Sequence, residues 1–350
     1  MSATRLLFRF DPERLQAELN TLPADAWIGH YNHKEYEGDW AVAPLRSVGG
    51  HPEVIYSVPI AAHQPDFYKN TPFLDKMPYI NGILQRLACI IGSARLMRLG
   101  PGARILEHRD EMGLGAARDI RLHIPICTHP EVLFWVDGQA LPMRPGELWY
   151  ADFTKPHHVS NNSTVDRVHL VIDCKTNDWL LNHIERGHEL TRIVAFLNEI
   201  GIPTQEKTLA GETFLPGILI ENGRIFYDVE KMLSPGDLLH EAGHIAVAEN
   251  PNQICGNVGE HDPNAMGDEI ATILWSMAAL RHLNIRPETV FHEQGYKGQS
   301  AWFIENYKAE KWIGLPLLEW MELCVDPKNA ATSGQPPFPH MLKWMRGKVD

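Results

Sequence analysis

Between Ser93 and Cys174 apolar and polar positions alternate in short runs, with turn residues at each break. Ala94-Arg95-Leu96-Met97-Arg98-Leu99 is followed by Gly100-Pro101-Gly102. Arg121–Ile126, Val132–Val136, Glu147–Ala151 and Arg167–Asp173 come next, with turns at Asp137-Gly138 and Pro145-Gly146. A period of two interrupted in this way predicts many short strands, the signature of a sandwich or jelly-roll barrel. Residues 1–90 predict a helix from Pro12 to about Leu22, loops, short strands and a second helix near Pro78–Ile91. After Lys175 the apolar spacing lengthens to that of a helix, clearest from Leu190 to Ile200 and stopped by Gly201. Gly217–Tyr227 reads as a hairpin turning at Asn222-Gly223, and helices dominate from Ser234 to a Pro/Gly-containing tail after Asp326. The expected architecture is a β jelly-roll domain over residues 1–183, with flanking helices, and a mainly α (α+β) domain over 184–350.

A chain of 350 residues suffices for two such domains, each with its own core. Hydrophobic content of 44% and charged content of 22% place it among globular proteins. The net charge of −12 and the absence of a basic stripe argue against a nucleic-acid partner. No apolar run nears the roughly 18 residues of a membrane span. The first ten residues, interrupted by Arg9, do not read as a signal peptide. Five cysteines with no C-x-x-C pair read as reduced thiols of a cytoplasmic protein. No segment specifies an oligomeric interface.

Two sets of metal-ligand residues divide between the halves. The first begins with His108-Arg109-Asp110. An H-x-D triplet alone is weak in a chain with 18 histidines, and H-x-E triplets also occur at His51 and His129. This one follows a strand, and residues two apart share a face if the chain stays extended. The third ligand comes from Pro156-His157, after the Glu147–Ala151 strand. His158 is an alternative, but the Pro-His order and the ten-residue interval to Arg167 favour His157. Arg167 begins a further strand, and its guanidinium can hold a carboxylate by a two-pronged hydrogen bond. Two neutral imidazoles and one carboxylate form a three-ligand site with open positions, as suits Fe(II) or catalytic zinc.

This constellation resembles the aspartyl/asparaginyl β-hydroxylase family of Fe(II)/2-oxoglutarate dioxygenases, including the related proline hydroxylases. The resemblance runs over about residues 25–175, from Trp27 and the region of Trp40 through Arg121–Ile126 to His169–Asp173. It implies a double-stranded β-helix (cupin-like jelly roll) with His108, Asp110 and His157 as iron ligands. It also implies that Arg167 binds the distal carboxylate of 2-oxoglutarate, and that Arg121 and His123 help hold acidic groups of cosubstrate or substrate. Arg121 has another reading, as the partner of a buried carboxylate such as Asp173. Animal aspartyl hydroxylases of the family lack the metal-binding carboxylate. Asp110 therefore moves the resemblance towards the proline-hydroxylase-like branch.

The second set is His240-Glu241-Ala242-Gly243-His244. H-E-x-x-H is much rarer by chance, and Ser234-Pro235-Gly236-Asp237 before it reads as a helix start with a capping box. One helical turn separates the two histidines on a common face, and Glu241 beside them can take a proton from a metal-activated water. The hairpin, this helix and Gly267-Asp268-Glu269-Ile270-Ala271 resemble a short gluzincin-type metallopeptidase (zincin-like) domain over about residues 190–280. That resemblance implies Zn(II) bound by His240, His244 and Glu269, with Glu260, His261 and Asp268 as competing third ligands. Tyr296 and His292 are candidate oxyanion stabilisers.

The reading that follows is a bifunctional enzyme. An iron hydroxylase acts on an amino acid, peptide or amino-acid-derived small molecule, and is fused to a zinc hydrolase. Arg104, Arg109, Arg118 and Arg121 near the first site point to an acidic or zwitterionic substrate. Two alternatives are a regulatory metallopeptidase-like protein whose jelly roll senses a small ligand, and an oxygenase whose second half only supports it.

Overall fold

A computed structural model describes residues 2–60, 67–110, 119–255 and 265–346. The chain divides into two compact units, residues 1–188 and 189–350. Arg118, Glu260 and His261 lie outside the described residues.

The first unit opens with β1 (Ala3–Arg9), α1 (Pro12–Leu19), β2 (Ile28–Gly29), β3 (Tyr36–Glu37), β4 (Trp40–Val48), β5 (Tyr68–Asn70) and α2 (Pro78–Arg86). Then come β6 (Ile91–Leu99), β7 (Arg104–His108), β8 (Asp119–Cys127), β9 (Val132–Val136), β10 (Gln139–Ala140), β11 (Glu147–Ala151), β12 (His157–Asn161) and β13 (Arg167–Lys175). The larger sheet has the order β1-β11-β8-β13-β6-β4-β2, with β5 on β4, and the smaller β10-β9-β12-β7-β3. From β6 onwards the chain crosses between sheets at nearly every turn, which is jelly-roll connectivity.

The two-residue period of the larger sheet separates packing from chemistry. Ile120, Leu122, Ile124 and Ile126 of β8 and Val168, Leu170, Ile172 and Cys174 of β13 are buried in one apolar core with residues of α1 and α2. The intervening residues, Arg121 and His123 on β8 and Arg167, His169, Val171 and Asp173 on β13, take the opposite face. A second core, including Trp40, Met97, Leu99, Ile105, Phe134, Phe153 and Val159, gathers side chains from both sheets.

Both N-terminal helices stop earlier than the sequence suggests, α1 at Leu19 and α2 at Arg86. Leu87 is already extended, and β6 needs the chain from Ile91 onwards. The helix after the jelly roll, α3 (Asp178–Glu199), starts well before Leu190 and contains position 183. Its Leu180 and Ile184 belong to the core under the larger sheet, so burial extends the helix in that direction.

The second unit contains β14 (Thr204–Glu206), β15 (Ile218–Glu221) and β16 (Arg224–Tyr227), ordered β14-β16-β15. The β15–β16 turn has positive φ at both Asn222 (52°) and Gly223 (70°), as a two-residue hairpin of this type requires. Helices α4 (Asp237–Val247), α5 (Ala265–Leu283), α6 (Ser300–Lys308), α7 (Leu315–Trp320) and α8 (Pro327–Ser333) follow. Helix α4 begins two residues later than the capping pattern suggests. The Asp237 carboxylate does accept from the Ser234 amide at 3.1 Å, but the Ser234 hydroxyl, which donates to the Thr289 carbonyl, accepts from the Gly236 amide at 3.3 Å and not from that of Asp237, so the box is left half made. Among the described residues no helix is long and apolar enough to cross a membrane.

Candidate active sites

In the first unit the strand register itself brings two imidazoles together. β12 and β7 are antiparallel neighbours, with His157 directly opposite His108. Opposed residues of such a pair have Cβ atoms about 5 Å apart, so adjacent rings need no unusual rotamer. The ring centroids are 4.1 Å apart. Beyond β7 the Asp110 amide donates to the Phe153 carbonyl at 2.8 Å, which brings its carboxylate back to the rings. Asp110 Oδ1 lies 3.8 Å from His108 Nε2, and one donor atom of each of the three residues falls within 4.8 Å of the others.

The tautomers follow from the neighbours. His108 Nδ1 is 2.8 Å from the Leu106 carbonyl, and His157 Nδ1 is 3.0 Å from the Lys155 carbonyl. A carbonyl only accepts, so each Nδ1 carries the proton and each Nε2 keeps its lone pair for a metal. Burial lowers the His157 pKa to about 4, which keeps it neutral at physiological pH. The donor set fits ferrous iron. His158 is on the other face of β12, half-exposed and stacked on Trp135, and it takes no part. His51 and His129 each meet their near neighbour, Glu53 or Glu131, on exposed surface.

Facing the triad, the larger sheet supplies a buried charge network. Asp173 accepts from Ser93 Oγ at 2.7 Å, Arg95 Nη2 at 2.6 Å and Arg121 Nε at 2.8 Å. Burial alone would raise its pKa, but the guanidiniums of Arg121 and Arg95 hold it well below the usual carboxylate range. Arg121 also donates through Nη1 to Asp110 Oδ2. Both readings of Arg121 thus meet in one side chain, anchored on Asp173 and gripping the candidate metal ligand. The other arginines do not converge: Arg104 and Arg109 are exposed.

Arg167 differs from these. It is 2% exposed, yet among the described residues no carboxylate pairs with it. Nη2 donates to His169 Nδ1 at 2.8 Å, while Nε has no partner. Burial pulls its pKa down to about 9, so it is still a cation at neutral pH. His123 and His169 are also buried and kept neutral by desolvation, and each leaves Nε2 without a partner. Arg167, His123 and the triad line one cavity of about 510 Å³ whose apolar wall includes Met97, Phe134, Phe153 and Val159. A buried guanidinium aimed into such a cavity is a receptor for an anion. Arg95 and His169 went unread in the sequence, whereas Asp173 is legible there as a candidate partner of Arg121. The signal was there, because Arg-x-His recurs at Arg121–His123 and Arg167–His169 on adjacent strands.

The second unit brings His240, His244 and Glu269 together, with donor atoms within 4.8 Å of one another. Glu269 Oε1 is 3.7 Å from His240 Nε2, and Oε2 is 3.4 Å from His244 Nε2. Tetrahedral zinc with bonds of about 2.05 Å separates its ligand atoms by about 3.3 Å, so these gaps suit a shared cation. Burial lowers the imidazole pKa values to about 3 for His240 and about 4 for His244, leaving neutral donors. His240 Nδ1 meets the Tyr296 hydroxyl at 3.1 Å, and His244 Nδ1 meets Thr272 Oγ1 at 3.4 Å. His292 Nε2 donates to Asp237 Oδ1 at 2.8 Å. Tyr296 and His292 are therefore engaged with the ligand helix.

Close approach of α5 to α4 carries Glu269 to the histidines, and Gly243 permits it. A Cβ at Gly243 would lie 2.8 Å from Thr272 Cγ2 and 3.1 Å from the Thr272 carbonyl oxygen. Gly243→Ala is expected to push the helices apart and carry Glu269 away from the histidines, so that a zinc ion offered to this group would bind about ten-fold or more weakly than to wild type. Competition titration against a zinc chelator reads this directly, and unchanged affinity would refute it.

Burial, with the nearby Glu269 and Asp237 carboxylates, raises the Glu241 pKa to about 8. The folded state then holds a proton that the unfolded chain releases near 4.5, so this group's contribution to stability falls as pH rises from 4.5 to about 8. Glu241→Gln isolates this group: the metal-free wild type is expected to lose melting temperature relative to that variant as pH rises across the window. Added zinc, which favours the carboxylate, should flatten the slope, and an equal slope with and without zinc would contradict this.

Residues 10–177 match the family model described as Aspartyl/Asparaginyl beta-hydroxylase. The chain is 28% identical over 171 residues to an L-proline cis-4-hydroxylase of Rhizobium meliloti (strain 1021), covering 47% of this chain and 58% of that protein. It is 26% identical over 169 residues to L-proline cis-3-hydroxylase 2 of Streptomyces sp, covering 47% and 56%. The chain thus spans little more than half the length of these curated relatives. Among solved structures, a Pseudomonas putida prolyl-4-hydroxylase aligns with 50% of this chain and 93% of its own, at 14% identity and a TM-score of 0.31. The family match falls on the stretch that carries His108, Asp110, His157 and Arg167, and the similarity there is to amino-acid hydroxylases.

Proposed function

We propose that the first unit is an Fe(II)- and 2-oxoglutarate-dependent hydroxylase of an amino acid or amino-acid-derived small molecule, and that the second holds a zinc-dependent hydrolase site. One observation supports the first assignment above others. A buried cation with no carboxylate partner among the described residues, Arg167, shares a cavity with an H-x-D…H triad whose imidazoles present Nε2. Iron held by His108, Asp110 and His157 would supply the oxidising chemistry, in which O2 and 2-oxoglutarate yield succinate, CO2 and a hydroxylated substrate. Arg167 takes the distal carboxylate of the 2-oxo acid, and its fork is steadied by His169. Arg121, fixed by Asp173, sets the orientation of the Asp110 carboxylate. Phe134, Phe153, Met97 and Val159 keep bulk water from the reacting end of the cavity.

In the second unit, zinc held by His240, His244 and Glu269 would lower the pKa of a water molecule. Glu241 is on the same helix beside the ligands and takes that proton, then passes it to the leaving group. Metal analysis separates the two assignments. The account expects one iron and one zinc per chain, with His108→Ala losing only iron and His240→Ala only zinc. Loss of both metals from either variant would count against two independent sites.

A further inference from the structure

Six side chains with formal charge line the cavity of the first unit: Glu35, Arg95, Asp110, Asp119, Arg121 and Arg167. Four of them are neutralised within the protein. Arg95 pairs with Asp173 at 2.6 Å, Arg121 with Asp173 and Asp110, and Asp119 lies 3.4 Å from Lys175 Nζ. That leaves one cation, Arg167, and one anion, Glu35, without a counter-charge among the described residues. Arg167 is accounted for by the cosubstrate's carboxylate. Glu35 is not accounted for by cosubstrate or metal, because the 2-oxo acid is itself an anion and the triad is complete without it.

The backbone fixes Glu35 next to the triad. The Leu106 amide donates to the Glu35 carbonyl at 2.7 Å, while the Leu106 carbonyl accepts from His108 Nδ1 at 2.8 Å. A single residue of β7 therefore holds both Glu35 and a candidate iron ligand. The cavity that Glu35 lines has an aromatic wall, in which His30 stacks on Trp40 with ring centroids 3.6 Å apart and on Tyr31 at 4.7 Å. A carboxylate in a cavity with an aromatic wall suits an ammonium group carried on an apolar body.

We propose that Glu35 is the specificity-determining residue of this site and binds the protonated amine of the substrate, so that the hydroxylase takes amino acids with a free primary or secondary amine. Residues inside a peptide are excluded, because an amide nitrogen carries no charge to meet the carboxylate. The inference rests on the hydroxylase reading of the first unit.

The test compares 2-oxoglutarate turnover with free amino acids, L-proline among them, against turnover with their N-acetyl derivatives, in wild type, Glu35→Gln and Glu35→Asp. Wild type is expected to be stimulated by free amines and not by the acetylated compounds. Glu35→Gln should raise KM for the stimulating amino acid about ten-fold or more, the usual scale for losing one partner of a partly desolvated charge pair. KM for 2-oxoglutarate should move less than about two-fold, since that ligand is held by Arg167. Glu35→Asp, which keeps the charge, should recover part of the affinity. Equal stimulation by acetylated compounds, or an amino-acid KM unchanged in Glu35→Gln, overturns the proposal while leaving the hydroxylase intact. Wild type that consumes 2-oxoglutarate but responds to no free amine overturns it too. Wild type that consumes none at all, with iron bound, rejects the hydroxylase reading itself.

Discussion

Arg167→Ala is expected to weaken 2-oxoglutarate binding by about 100-fold or more, because truncating one partner of a buried charge pair typically costs 2–5 kcal/mol. The same change should leave the ligand-free protein at least as stable as wild type. Arg167 is buried, no carboxylate among the described residues pairs with it, and burial already pulls its pKa down to about 9. A charge in that state opposes folding at every pH below about 9, and its removal relieves the cost. Arg167→Lys keeps the charge but loses the planar fork, and should fall between the two. The combination of lost affinity and retained stability marks a binding residue, since a structural arginine would show the reverse. Anaerobic calorimetry with Fe(II) and 2-oxoglutarate, beside a melting curve, measures both. A variant that melts well below wild type, or binds normally, would contradict the assignment.

Asp173→Asn is expected to do the opposite and damage stability first. Asp173 has no exposure and accepts from Ser93, Arg95 and Arg121. An amide in its place leaves the buried Arg95 without a counter-charge and Arg121 with Asp110 alone, a loss of about 3–5 kcal/mol. For a folding unit the size of residues 1–188 that corresponds to a fall in melting temperature of about 10 °C. Iron affinity should fall as well, because Arg121 would no longer be fixed while it holds Asp110. The sign with pH is set by the depressed Asp173 pKa: its contribution is complete at neutral pH and disappears only as pH falls through a value far below the ordinary carboxylate range. A variant melting within about 2 °C of wild type would show the network to be dispensable, a shift of about 1 kcal/mol or less.

Where side-chain period and turn chemistry agree, the elements were legible in the sequence. β9 and β11 have the boundaries that alternation suggests, and the Asn222-Gly223 turn falls where the dipeptide points. The strands that escaped notice lack an apolar stripe. β12 reads His157-His158-Val159-Ser160-Asn161 because its inward face carries a metal ligand and Asn161, whose side chain bonds the carbonyls of Leu99, Gly100 and Val165. β1 was hidden because only Thr4 and Leu6 along it are buried. Metal-ligand residues were legible because their identities are chemically demanding. Their supports were not, since Arg95, His169 and Glu35 are common residue types given meaning by cross-strand register. The H-E-x-x-H motif was equally plain, whereas the role of Gly243 became visible only once Thr272 was placed against it.

The central claim, a hydroxylase driven by iron and 2-oxoglutarate, is tested most directly by measuring succinate formed from 2-oxoglutarate under O2. Purified protein loaded with Fe(II) is set beside His108→Ala, with L-proline and other free amino acids present. The account predicts succinate in step with hydroxylated amino acid, and loss of both in the variant. Iron-loaded protein that forms no succinate with any of them, or forms it equally well without His108, would contradict the account.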